Sequence, residues 1–238
     1  MKIAMNLILR PKGLALAAGV ALMEQSLTSV FWRFGHVASS TMLGAWLQAP
    51  DGQVKESRTV NDLWVFGYGS LIWRPGFAHR AAYPARLFGF HRSLCVYSHV
   101  HRGTPERPGL VMGLDRGGSC QGVAFHVDGE HAAEVMRYLR EREQATMVYQ
   151  ERVQPVHLLD RAEGLPHNVR AVTYCVDRFH QQYAGALSRE AQLEIVRGAV
   201  GQSGENPEYV VQTSQALEKL GVHDATLHWL STRLQAGS

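Results

Sequence analysis

The chain has 238 residues, 45% of them apolar and 19% charged, with a formal net charge of +3. That composition supports one good core and excludes wholesale disorder. The slight positive balance contains no Lys/Arg run, so it argues against a nucleic-acid face, which needs clustered basic residues.

Residues 1–60 differ in character from the rest of the chain. Lys2, Arg10 and Lys12 precede an apolar run over 14–23, the outline of a secretory signal. The run is short, ends in Met23-Glu24-Gln25 and has no small-x-small site behind it. Crossing a bilayer needs ~20 apolar residues. An aromatic patch (Phe31, Trp32, Phe34) and a polar segment over 50–62 come next. The expectation is an N-terminal extension over 1–60, poorly packed or created by a start codon read too early, with Met5, Met23 and Met42 as alternative starts. A targeting peptide is the competing reading.

Residues 63–66 read as a short buried strand that breaks into Gly67-Tyr68-Gly69-Ser70 before the chain turns apolar again at Leu71. Two glycines around one tyrosine let the backbone take positive φ and bring its N–H groups close to a ligand. Such turns form concavities that suit a carboxylate or an oxyanion; a plain hairpin is the alternative. Neither phosphate motif fits. Ile72 stands where a dinucleotide fingerprint needs a third glycine, and no Gly-Lys-Ser/Thr follows.

Pro75-Gly76 marks a turn, and 85–98 alternates loosely as a long strand or a bent pair. The Pro/Gly-dense stretch 101–109 is a loop. Residues 110–114 and 121–127 read as two strands split by a turn at Gly117-Gly118. Residues 130–143 form the first convincing helix, and 151–159 and 169–176 return to strand pattern. Ser188 is a cap for a helix carrying Leu193, Val196 and Val200 on one face. Asn206-Pro207 reads as a cap followed by proline, opening a helix with Tyr209, Val210, Thr213, Leu217 and Leu220 that stops at Gly221. Leu227, Leu230 and Leu234 repeat the pattern. Strands followed by helices predict the α+β class, with one domain over 61–238 built on a mostly antiparallel sheet or small barrel.

The three cysteines, Cys95, Cys120 and Cys175, are far apart and form no Cys-x-x-Cys pair. They read as small buried hydrophobes in a reducing compartment. Among twelve histidines the tightest grouping is His99-x-His101, with His91 upstream, and no second cluster has ligand spacing, so no metal is expected.

The chemistry shows at the end of the first helix. Ala132, Val135, Met136 and Leu139 are spaced i, i+3, i+4, i+7, one core-facing stripe whose next position is Glu143. Glu134 and Glu141 fall off that stripe. A glutamate turned toward a core has its pKa raised toward the range useful for proton transfer. Alternatively the helix ends sooner and the side chain reaches water, or Arg142 or another arginine pairs with it. A carboxylate beside an anion-holding turn suggests a reaction. The turn grips an α-carboxylate, the glutamate manages the proton of the neighbouring amine, and that amine attacks a carbonyl of the same substrate, gaining from proximity. Ser70 has no partnered histidine in the sequence, so Ser/His hydrolysis lacks support.

Val65-Phe66-Gly67-Tyr68-Gly69-Ser70-Leu71-Ile72-Trp73 closely resembles the signature of the ChaC-type, glutathione-specific γ-glutamylcyclotransferases. Arg102-Gly103-Thr104-Pro105-Glu106-Arg107-Pro108-Gly109 resembles that family's Arg-Gly-Thr loop, and Arg142-Glu143 with Tyr149 its catalytic segment. Ser203-Gly204-Glu205-Asn206-Pro207-Glu208-Tyr209 resembles its C-terminal Asn-x-x-Tyr motif. The resemblance covers about residues 63–235, and its four motifs occur in order. It implies a small mixed or antiparallel β-barrel with flanking helices, acting in the cytoplasm without metal or cofactor. The implied reaction converts glutathione to 5-oxoproline and cysteinylglycine. Carried over, Tyr68, Gly69, Ser70 and Leu71 form the substrate loop and Glu143 is the general acid/base. Tyr149 would orient substrate or Glu143, and Arg102 would neutralise the glycine carboxylate. Gln144-Ala145-Thr146-Met147-Val148 stands where many relatives carry glycines, which leaves open which γ-glutamyl compound is used.

Three other readings remain: a cyclotransferase for other γ-glutamyl amines or amino acids, a non-catalytic regulatory or binding protein of the cation-transport type, and a membrane-associated role through 14–34. A core-facing carboxylate favours catalysis. The expected partner is a small-molecule substrate, with no nucleic acid and no membrane.

Overall fold

β1 (Leu63–Gly67) opens the fold with Val65 and Phe66 fully buried, and it leads into a single 3-10 turn at Ser70–Ile72. The computed structural model describes residues 61–236, so the expected extension over 1–60 lies outside the described residues. β2 (Ala81–Ser98) and β3 (Gly109–Val127) form a long antiparallel hairpin. A 3-10 turn at Gly129–His131 then enters α1 (Ala132–Glu143), which therefore starts two residues later than its periodicity suggests. β4 (Tyr149–Leu158) and β5 (Asn168–Val176) pair antiparallel. After them come α2 (Arg189–Val196), a ribbon of β6 (Val200–Gly201) and β7 (Gly204–Glu205), α3 (Asn206–Lys219) and α4 (Ala225–Ala236).

The first five strands close into a barrel in the order β1-β3-β2-β4-β5. The successive neighbours are antiparallel, but the closure is not: β1 runs parallel to β5, with Trp64 opposite Ala171 and Val65 opposite Val172. The sheet is mixed, and helices flank it, as the α+β reading anticipates. Side chains alternate across the barrel wall. Phe66 packs inward with Leu87, Leu110 and Leu158, while Val65 joins Phe125, Val135 and Leu139 beneath α1.

Gly117-Gly118 does not end a strand. Both lie inside the continuous β3 with φ of +100° and +71°, and Gly89 opposite them has φ +83°. The register steps there from Phe88 opposite Ser119 to Phe90 opposite Arg116. This is a bulge, which bends a ladder instead of terminating it. The bend lets Ala85–Leu87 of β2 pair with β4 as well as β3.

Two helix details also differ from the sequence pattern. Ser188 caps α2 by accepting from the Ala191 amide at 3.2 Å, as expected, but α2 ends at Val196. Gly198 at φ +64° turns the chain out of the helix, and Val200 sits exposed in β6. Asn206 is the first residue of α3, with Glu205 in the capping position. Its side chain is spent elsewhere, on β3.

Candidate active site

The residues singled out from sequence, Tyr68, Gly69, Ser70, Leu71, Arg102, Glu143 and Tyr149, all line one cavity of about 300 Å³. They come from β1's exit turn, the β2–β3 loop, the end of α1 and the start of β4. The barrel's closure is what brings these distant stretches together.

The glycine turn is shaped by space, not by left-handed backbone. Gly69 has φ −124°, and Gly67 is not among the positive-φ glycines, so the turn does not use the freedom its glycines allow. A Cβ at Gly67 would stand 2.9 Å from Leu71 Cβ and 3.1 Å from the Phe125 ring. A Cβ at Gly69 would stand 3.2 Å from Met112 Cβ and 3.4 Å from the Tyr209 hydroxyl. Such contacts are tighter than packing tolerates without a shift. The turn is pinned from outside by Arg92, whose Nε donates to the Tyr68 carbonyl at 2.6 Å. Ile72 and Trp73 amides close the 3-10 turn on the Gly69 and Ser70 carbonyls. Among the described residues no group accepts from the N–H of Gly69, Ser70 or Leu71. These are the orphan donors that the start of any helical turn leaves over.

Glu143 is the last residue of α1, and its side chain keeps 17% of its surface exposed. Burial raises its pKa, opposed by the Arg142 guanidinium, whose Nε lies 3.2 Å from Oε1. Both readings of the stripe therefore hold in part: the carboxylate is turned inward, and Arg142 pairs with it. Burial, reinforced by the Glu143 charge, also pushes the phenols of Tyr68, Tyr149 and Tyr174 up, so they stay neutral donors. The thiols play no nucleophilic part: burial lifts Cys95 to about 12 and Cys175 to about 11.

In the sequence Arg142 stood out as the neighbour and candidate partner of Glu143; in the structure it is the hub of the site. Nη2 donates to the Ser70 hydroxyl at 2.9 Å, and Nη1 donates to the carbonyls of Arg74 at 2.7 Å and Pro75 at 3.2 Å and to the Tyr138 hydroxyl at 2.8 Å. Ser70 thus has an arginine for a partner and no histidine. One side chain ties the substrate-loop candidate to the helix that carries the carboxylate.

The wall behind Gly69 is a stretch of β3 with no neighbouring strand on one side. Asn206 supplies both a donor and an acceptor to it: Nδ2 to the Leu110 carbonyl and Oδ1 from the Leu110 amide, each 2.7 Å. The Tyr209 hydroxyl accepts from the Met112 amide at 3.0 Å, and the Tyr149 hydroxyl donates to the Met112 carbonyl at 2.7 Å. Tyr149 lines the cavity, but its hydroxyl is anchored on the wall and not on Glu143. Arg102 is likewise occupied. Its Nη1 donates to the Glu205 carbonyl at 2.8 Å and stands 3.4 Å from Glu208, and its guanidinium lies 5.5 Å from the Tyr209 ring centre. It fastens the 101–109 loop to the start of α3.

Of the histidines weighed as metal ligands, His91 meets the Gly117 carbonyl and His101 the Ser203 hydroxyl, each at 3.0 Å. Among the described residues no three His, Cys, Asp or Glu side chains are grouped to hold a metal, and no helix is long and apolar enough to cross a membrane.

This geometry belongs with known proteins. A family model described as "ChaC-like protein" matches residues 63–236. The glutathione-specific γ-glutamylcyclotransferase of Escherichia coli (strain K12) is 31% identical over 166 residues, 70% of this chain and 70% of that protein. Glutathione-specific γ-glutamylcyclotransferase 1 of Homo sapiens is 30% identical over 179 residues, 73% of this chain and 79% of that protein. A crystal structure of a γ-glutamyl cyclotransferase specific to glutathione from yeast superposes with a TM-score of 0.67 at 26% identity, over 74% of this chain and 96% of that one.

Proposed function

The chain belongs to the ChaC-like family, and on that premise we propose that residues 61–238 form a γ-glutamylcyclotransferase that converts glutathione to 5-oxoproline and cysteinylglycine. The observation that carries this reading is Glu143, a largely buried carboxylate of raised pKa sharing a cavity with the unpartnered amides of the Tyr68–Leu71 turn.

In the mechanism the N–H groups of Gly69, Ser70 and Leu71 hold the α-carboxylate of the γ-glutamyl group. Glu143 takes a proton from the α-amine as its nitrogen attacks the γ-carbonyl. The new C–N bond closes the lactam, the old amide C–N bond breaks, and Glu143 gives a proton to the departing cysteine nitrogen. The carboxylate ends as it began, so no metal or cofactor enters the cycle. Its raised pKa suits both halves of the exchange. Arg142 keeps the carboxylate and the turn in register, and the Tyr149 and Tyr209 hydroxyls hold the wall against which the substrate rests. Three free, buried cysteines fit a reducing compartment, and we place the reaction in the cytoplasm.

One observation favours a second substrate. Ala145, Thr146 and Val148 line the cavity with side chains in the segment where the family resemblance implies glycines. A smaller γ-glutamyl amine or amino acid would fit the same chemistry. Mass spectrometry of the protein incubated with glutathione, with γ-glutamyl dipeptides and alongside Glu143→Gln decides between them. Oxoproline and cysteinylglycine from glutathione, absent with the variant, is the expected result. Oxoproline only from dipeptides moves the substrate, and no product from any of them refutes the activity.

A further inference from the structure

We propose that Arg74 determines the substrate class of this site, selecting γ-glutamyl peptides that end in a free carboxylate by pairing with that carboxylate at the cavity mouth. The inference rests on the cyclotransferase reading above and adds a residue to it.

Glutathione carries two carboxylates. The glycine turn accounts for the one beside the α-amine, and the other leaves with the product. Three arginines line the cavity: Arg74, Arg102 and Arg142. Two already hold protein partners. Arg142 serves Ser70, Arg74, Pro75, Tyr138 and Glu143 at once. Arg102 is only 5% exposed, and its Nη1 is taken up by Glu205 and Glu208. Of the two cavity arginines open to the distal carboxylate, Arg102 is thus the more buried and the more engaged.

Arg74 is the opposite case. Its residue is exposed, and among the described residues its guanidinium has no hydrogen bond, ion pair or ring contact. Its backbone, by contrast, is held on both sides. The Arg74 amide donates to the Ser70 carbonyl at 2.8 Å, and the Arg74 carbonyl accepts from Arg142 Nη1 at 2.7 Å. A fixed base with a free cationic arm stands one 3-10 turn beyond the substrate loop. An arginine so placed can meet a carboxylate with two parallel N–H donors. It acts on the part of the substrate that does not react, so it contributes to binding and to discrimination between substrates.

The test compares kcat/KM for glutathione and for glutathione whose glycine carboxylate is an ethyl ester, in the wild-type protein and in Arg74→Ala. The wild-type protein should prefer the free acid. In Arg74→Ala the ratio of acid to ester should fall on the order of fivefold, the size of a solvent-exposed ion pair. A ratio that does not change, whether both substrates slow together or neither does, overturns the inference while leaving the cyclotransferase intact. A wild-type protein that cyclises neither compound removes the glutathione reading on which the inference rests, a result distinct from the first.

Discussion

The Tyr149 and Tyr209 hydroxyls bind the two backbone polar groups of a single residue, Met112, one donating to its carbonyl at 2.7 Å and the other accepting from its amide at 3.0 Å. Two residues earlier Asn206 does the same for Leu110 with one amide side chain. Alternate residues of a strand present their N–H and C=O to the same side. Three side chains from β4 and α3 therefore stand in for a missing neighbouring strand. They make the rear wall of the cavity a fixed surface, against which Gly69 packs at close range.

Removing either hydroxyl leaves a buried backbone group unpaired, which costs about 1–3 kcal/mol. Tyr209→Phe and Tyr149→Phe should each lower the stability to urea unfolding by that amount. Because they share Met112, the double variant should depart from the sum of the singles. Strict additivity would mean that the two bonds are independent and that the wall is not one unit.

Glu143 sets the pH dependence. Its folded pKa lies above its ordinary value of 4.5 because of burial. As a base it must be ionised, so the acid limb of kcat/KM should fall at a pH above 4.5. For stability the sign is the reverse of a paired carboxylate. The folded state holds the proton more tightly than the unfolded chain, so this contribution is full below the unfolded value and is lost as pH rises through the folded one. Glu143→Gln should gain stability over the wild type at neutral pH and lose that advantage in acid. Denaturation midpoints measured at both pH values check it.

Arg142 opposes the rise of the Glu143 pKa. In Arg142→Ala the acid limb should move to higher pH, and KM should rise as Ser70 and the Arg74 and Pro75 carbonyls lose their donor. Arg142→Lys restores the charge but not the fork of donors. It should return the limb toward its wild-type position while KM stays high. Coincident recovery of both would mean that charge alone accounts for Arg142.

Met147 is the one described non-glycine residue with positive φ, at +59°, in the segment between Glu143 and Tyr149. It is 63% exposed, so its side chain recovers little by packing. Backbone strain of this kind costs about 1–3 kcal/mol. Met147→Gly should stabilise the fold by about 1 kcal/mol once the extra chain entropy of glycine is subtracted. A loss of stability would show that Met147 makes a contact worth more than the strain.

What could be read without coordinates divides along the range of the interactions. The core-facing stripe of α1 placed Glu143 inward because the nearest stripe residues, Leu139 and Met136, are four and seven residues away. The glycine turn and the helices of the C-terminal half announced themselves in the same local way. Asn206 looked like a helix cap because nothing nearby in sequence reveals that its partner is Leu110, 96 residues back. Tyr209 and Met112 are separated by 97 residues and were equally hidden. Gly117-Gly118 looked like a turn since a bulge is recognisable only with Gly89 opposite it. Arg142 was in view, but its several partners lie mainly in the stretch after the glycine turn, 67 to 72 residues away.

The side-chain wall also bears on how the chain is made. β3 leaves the ribosome long before Asn206 and Tyr209 do. Until those two residues emerge, the Leu110–Met112 edge is an open row of donors and acceptors, a template for any extended segment nearby. A chain truncated ahead of α3 would keep every barrel strand and Glu143, yet it would present that edge permanently. Such a product would fail by joining strands between molecules, and the last helices guard the protein against self-association as much as they shape its cavity.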